Sequence, residues 1–281
     1  MATYVLTDLN GREWDFSSTC PLGLQSIKGI DGAEFGLEEL HGVGQRGVTV
    51  VGSDFKAGQI QMVVKVEPWK IGLEGQDAVE ILSAWRDGIG EGEVRRGDNE
   101  MSLTVIDAGG AGRFQAIRLT KKGPADWEKV QHAGFFRDEL TFQSDESDWR
   151  APPITSTFTA AQFAGAKVAN HGTVDSWPWF RLTGPITSPT LGIAGEAVNL
   201  PTLAAGKTLT IETDPNWYQV TDQDGVDKTF SLYILADGAD DRWRNQAPAR
   251  NTDIPVTATG TGTTGATKLE VVVPQIYRSA L

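Results

Sequence analysis

The chain has 281 residues, of which 25 are Lys or Arg and 37 Asp or Glu, giving a formal charge of −12, with 40% apolar residues, nine Trp and one Cys. At roughly 150 residues per domain the length suggests two domains, and the acidic balance argues against specific nucleic-acid binding, which relies on clustered Lys and Arg. Cys20 has no partner for a disulfide, no Cys/His cluster offers a zinc site, and no apolar run approaches the ~20 residues of a membrane span.

In chain order, residues 60–67 (IQMVVKVE) alternate polar and apolar positions as a half-buried strand does. The spacing of Val79, Leu82, Trp85 and Ile89 predicts a helix over Gln76 to Ile89, closed by Gly88 and Gly90. Strand patterns return at 101–108 (MSLTVIDA) and 112–122 (GRFQAIRLTKK), joined by the hairpin loop Gly109 to Gly112, and again at 135–144 (FFRDELTFQS). At Trp149-Arg150-Ala151-Pro152-Pro153 the proline pair lacks ladder donors, and we place a domain boundary there, giving domains 1–150 and 151–281.

The composition changes at the same point. Residues 1–150 carry 16 basic and 25 acidic side chains, a balance of −9, with seven Thr; residues 151–281 carry 9 and 12, a balance of −3, with 20 Thr. Beyond a turn at Ala160 to Ala164, the second part reads as short strands at 177–184, 207–214, 217–222, 228–235 and 268–277, a β-sandwich pattern.

No catalytic constellation emerges, and neither an enzyme nor a cofactor is expected. The G-x-G-x-x-G matches at Gly42 to Gly47 and Gly260 to Gly265 run into strand-like sequence instead of opening a helix. No nucleophile elbow occurs, and His41, His132 and His171 stand apart from any nucleophile motif. The run Asp222 to Asp227 could hold a cation, but Val226 and Tyr233 stand where an EF-hand needs ligands, and an Asp-Gly turn is the plainer reading. Trp177, Trp179, Trp217 and Trp243 are either sandwich core or a platform for sugar or partner contact; alternation in WPWF puts Trp177 and Trp179 on one face and Phe180 on the other.

Residues 170–191 (NHGTVDSWPWFRLTGPITSPTL) and 203–215 (LAAGKTLTIETDP) carry a resemblance. With Asn170, Gly172, Ser176, Pro178, Gly184 and Pro185, then Ala205, Gly206, Leu209, Ile211, Glu212, Thr213, Asp214 and Pro215, the second part resembles the C-terminal domain of distal tail proteins from long-tailed, non-contractile bacteriophages. More loosely, residues 6–16 look like the family's opening strand and turn, and 142–153 like its closing strand; residues 237–250 depart from its pattern.

The resemblance implies a mainly β protein: an N-terminal split β-barrel or sandwich with one α-helix, related to the tail-tube fold, and a C-terminal galectin-like or carbohydrate-module-like β-sandwich. Six copies would form a ring joining the tail tube to the tip or baseplate and anchoring adsorption or fibre proteins. The chain would be made in the host cytoplasm and act in the virion, without membrane insertion. The helix face of Val79, Leu82, Trp85 and Ile89 would serve the domain core or a ring neighbour. The other function considered is carbohydrate binding, with the outer sandwich recognising host surface polysaccharide through Trp177, Trp179, Trp217 or Trp243.

Overall fold

The computed structural model describes residues 2–16, 19–41, 45–46, 48–90, 100–230, 232 and 242–281. The chain divides into two compact units, one running to Arg150 and including Arg278–Leu281, the other Ala151–Tyr277. The last four residues thus return to the first unit, where the Ala280 amide donates to the Ile30 carbonyl.

Unit one holds β1 (Thr3–Thr7), β2 (Glu13–Asp15), β3 (Leu22–Lys28), β4 (Phe35–Leu40), β5 (Thr49–Phe55), β6 (Gly58–Val66), α1 (Ala78–Ile89), β7 (Met101–Ile106), β8 (Gly112–Lys122), α2 (Trp127–Ala133) and β9 (Phe136–Ser144). All its strand pairs are antiparallel. The long β8 belongs to two sheets: Gly112 to Ile117 pair with β7, Arg118 to Lys122 with β9, and the register shifts between Leu119 and Lys121. Such a shift bends a strand, so one sheet runs β2-β1-β7-β8 and the other β8-β9-β6-β3. The result is an open sandwich. In β6 the alternation read from the sequence is realised, with Ile60, Met62, Val64 and Val66 buried and Gln59 and Gln61 exposed.

The helix α1 packs on this framework through one face. Trp85 meets Trp14 and Phe16 edge to face, with ring centroids 5.5 and 6.0 Å apart. Trp14 in turn donates its indole N–H to Asp8 at 2.9 Å, and Asp8 also accepts the Asn10 and Arg12 amides, which fixes the β1–β2 turn. One turn of helix holds a charge as well. Arg86 reaches the fully buried Asp138 of β9 with two hydrogen bonds, 2.8 and 3.2 Å, and donates to the Gly123 carbonyl at 2.9 Å.

A second helix, α2, escaped the sequence reading because it spans only seven residues. Its signals were local: Asp126 accepts the Lys129 amide at the N-cap, and Gly134 ends it in the left-handed conformation at φ 67°.

Unit two contains most of β10 (Trp149–Thr159), then β11 (Lys167–Asn170), β12 (Trp179–Thr183), β13 (Thr187–Ile193), β14 (Val198–Asn199), β15 (Thr208–Glu212), β16 (Gln219–Asp222), β17 (Asn251–Thr261) and β18 (Lys268–Tyr277). They form a sandwich of two sheets, β16-β15-β12-β18-β10 and β11-β17-β13-β14. Phe180, Leu182, Leu209, Ile211, Val220, Leu269, Val271 and Val273 of the first sheet share one core with Val168, Leu191, Ile193, Val198, Ile254 and Val256 of the second.

The proline pair lies inside β10, the strand within which the two units divide after Arg150, since proline's fixed φ suits an extended strand wherever no ladder donor is needed. One expectation is corrected here. The strand expected at 228–235 is not found among the described residues there: Thr229, Phe230 and Leu232 are helical, and 231 and 233–235 lie outside the described residues.

The Arg86–Asp138 pair gives a stability test. Asp138→Ala leaves the guanidinium buried and unpaired and should cost about 3–5 kcal/mol in urea unfolding. The double variant Arg86→Met/Asp138→Leu should recover most of that loss; a single variant as stable as the parent would contradict the pairing.

Candidate interaction surfaces

Several residues that carry the sequence resemblance prove to be fasteners of the second sandwich. Asn170, fully buried, donates to the carbonyls of Ala247 (2.8 Å) and Val174 (3.1 Å) and accepts the Gly172 amide at 2.8 Å. At Gly172 a side chain would meet the Ile276 carbonyl at 2.4 Å, so only glycine lets the two segments approach. Ser176 bridges to Ala247, and the Thr213 hydroxyl donates to the Pro178 carbonyl. These groups hold backbone to backbone, and their polar atoms are spent inside the domain.

The four tryptophans separate. Trp243 is buried against Phe180 and Tyr218, at 6.1 and 6.4 Å. Trp177 and Trp179 are half-buried, while Phe180 is fully buried on the opposite face. Trp217, 74% exposed, ends the turn Asp214 to Trp217, in which Asp214 accepts the Asn216 amide.

Register places Trp179 in a row on the outer face of the first sheet of unit two. Gln219, Glu212, Trp179 and Val272 stand side by side across four strands, and Thr221, Thr210, Arg181 and Glu270 form the next row. The Arg181 guanidinium lies 5.6 Å from the Trp179 ring centroid.

At the end of β16, Asp222 accepts the amides of Asp224 and Val226, both at 3.0 Å, and lies 3.4 Å from Lys228. Those bonds, that to Val226 foremost, hold its carboxyl below the usual range, so the run to Asp227 is a turn whose oxygens serve its own backbone. Among the described residues no group of three His, Cys, Asp or Glu could hold a metal ion.

In unit one, Leu82, Trp85 and Ile89 of α1 are buried within the unit, and Val79 is half-buried. Sequence reasoning missed a different apolar surface. The strands β4 and β5 pair only with each other, and every residue of β4 is exposed. Phe35 (63%), Leu37, Leu40 (60%), Val48, Val50, Val51 and Phe55 all face solvent on this arm. Its base is fixed by the Lys56 amide on the Glu34 carbonyl and by the contact of Phe35 with Phe55. No alternation marks β4, because neither of its faces packs on the unit; Gly42 to Gly44 and Gly47, in the loop beyond it, lie outside the described residues.

No family model matches the sequence, and neither does any curated protein. Solved structures do match the fold. The Dit protein of phage SPP1, described as a paradigm of the hub adsorption apparatus in phages infecting Gram-positive bacteria, aligns with a TM-score of 0.65 at 14% identity, over 98% of this chain and 99% of that one. A chain of the phage p2 baseplate in its activated conformation with Sr aligns with a TM-score of 0.50 at 10% identity, over 98% of both chains. The likeness spans both units, and the chain shares the fold of the SPP1 Dit protein.

Glu212 offers a test of the outer face. Burial pushes its carboxyl above the usual carboxylate range, so the folded chain holds the proton more tightly than the unfolded one. Stability is therefore lost as pH rises from the ordinary glutamate value, about 4.3, through the raised folded value. Glu212→Gln should raise the urea midpoint slightly at neutral pH and leave it unchanged at acidic pH; an equal effect at both would contradict the assignment.

Proposed function

We propose that this chain is a structural hub subunit of a phage tail tip, assembled as a six-fold ring that joins the tail tube to the tip or baseplate and anchors adsorption proteins. The observation that carries the ring is the β4–β5 arm. An isolated two-stranded hairpin is marginal in water, and its open edges and seven large apolar side chains invite association. A contact between this arm and a different surface of an identical copy is heterologous, and such contacts close into rings when the rotation permits.

The fold likeness to a hub adsorption protein supports the same reading. The ring would have the tube protein on one side and adsorption or fibre proteins on the other, and the chain would function in the virion. The fasteners of unit two fit a structural part, since they spend their polar groups on holding the sandwich together. A ring contact through α1 would be limited to its outward positions, because Leu82, Trp85 and Ile89 are already covered.

Leu37→Asp/Val50→Asp should weaken self-association at least tenfold in sedimentation velocity while leaving the melting temperature unchanged, because both positions are exposed within the single chain. Rings of undiminished stability in electron micrographs of that variant would remove the arm from the interface. A parent chain that stays monomeric at high concentration would overturn the ring itself.

A further inference from the structure

We infer that the β4–β5 arm of one copy docks on an apolar end of the next copy's first unit, a surface built from Trp69, Ile71, Leu73 and Phe135. The inference rests on the ring reading and names the half of the contact that the arm alone leaves open. A heterologous contact needs two different surfaces on one chain. The arm is one, and among the described residues of unit one the other exposed apolar side chains gather mainly at this end.

Local geometry builds the acceptor. After β6 the chain enters a 3-10 turn, Pro68–Ile71, in which Pro68 is buried while Trp69 is 55% exposed and Ile71 points to solvent as well. Gly72 closes the turn in the left-handed conformation at φ 76°, and the Leu73 amide donates back to the Pro68 carbonyl at 3.2 Å. Gly75 then passes Gly134 so closely that a Cβ on Gly75 would lie 3.0 Å from the Gly134 Cα. That crossing brings the exposed Leu73 and Phe135 to the sheet end where Phe136 pairs with Val66. Phe114 and Trp127, also exposed, lie elsewhere, the first opposite Thr104 in the other sheet and the second at the start of α2.

Position, area and charge select the occupant. The arm leads into β6 at Gly58 and the acceptor follows Val66, so nine residues of strand, about 27 Å, separate them. The two surfaces lie at opposite ends of one strand, as a head-to-tail contact between copies requires. By register Phe35, Leu37 and Phe55 share one face of the arm, and Glu38 and Asp54 the other. The seven apolar side chains of the arm expose about 600 Å² and the four of the acceptor about 400 Å², which together reach the ~1,000 Å² that a specific interface needs. From Phe35 to Phe55 the arm carries Glu38, Glu39 and Asp54 against Arg46. At the rim of the acceptor Lys65 stands opposite Arg137, beside the Val66–Phe136 pair. Glu139 holds Arg137, Glu67 holds Lys70, and Glu74 and Asp77 cap each other's amides, so Lys65 is the cation at this rim that an arm carboxylate meets.

Sedimentation velocity of paired variants of the full chain tests the contact. Trp69→Asp/Phe135→Asp should weaken self-association at least tenfold at an unchanged melting temperature, as Leu37→Asp/Val50→Asp should, because all four positions are exposed within the single chain. An equimolar mixture of the two double variants retains one intact arm and one intact acceptor, and at high concentration it should form a heterodimer that grows no further. Trp127→Ala should associate as the parent does. Rings of undiminished stability from Trp69→Asp/Phe135→Asp, or a mixture that stays monomeric or rebuilds rings, would overturn this acceptor and leave the ring standing. A parent chain that stays monomeric would overturn both.

Discussion

The pleat of an antiparallel strand turns successive side chains to opposite faces, and each face must either be buried or tolerate water. Both units obey this constraint over most of their length. β6 alternates through Ile60, Met62, Val64 and Val66, and β12 through Phe180 and Leu182, building the inward faces of two separate sandwiches. Strands that break the rule mark exceptional surroundings. In β18 the consecutive Val271, Val272 and Val273 are all buried. In β4 no residue is buried at all, although Phe35, Leu37 and Leu40 are large and apolar. This strand, apolar and without cover within its own unit, is the surface on which the proposed ring contact rests.

What the sequence makes legible follows from the same constraint. Strands with one wet face announce themselves by period, and β6, β7, β8 and β9 lie close to where alternation puts them. The helix α1 is legible because Leu82, Trp85 and Ile89 repeat at helical spacing over about two turns. The β4–β5 arm was invisible, since a strand exposed on both faces has no periodic signature. The proline pair marks the point where the units divide, although the chain stays extended there, because proline forbids a ladder donor but not an extended backbone. In residues 228–235 the run of β-branched and aromatic side chains suits a strand, yet Thr229, Phe230 and Leu232 are helical, an override of local preference by tertiary context.

The interaction surfaces were legible only in part. Four tryptophans stood out in the second half, but composition could not separate Trp243, buried on Phe180, from Trp217 at the surface. Burial in the folded chain does that, since Trp243 is enclosed by the sandwich and Trp217 stands in a surface turn. Two residues of the family resemblance have a role that the sequence does not reveal: the hydrogen bonds of Asn170 and Thr213 tie distant backbone segments together. Unit two is thus held together by its own polar groups, while unit one leaves an apolar arm uncovered.

The measurement closest to that account is amide hydrogen exchange of residues 35–40 and 49–55 as a function of protein concentration. Slow exchange on the arm should emerge together with a six-fold oligomer and be absent in dilute monomer. Arm amides that exchange rapidly while the oligomer forms, or a chain that never leaves the monomer state, would contradict it.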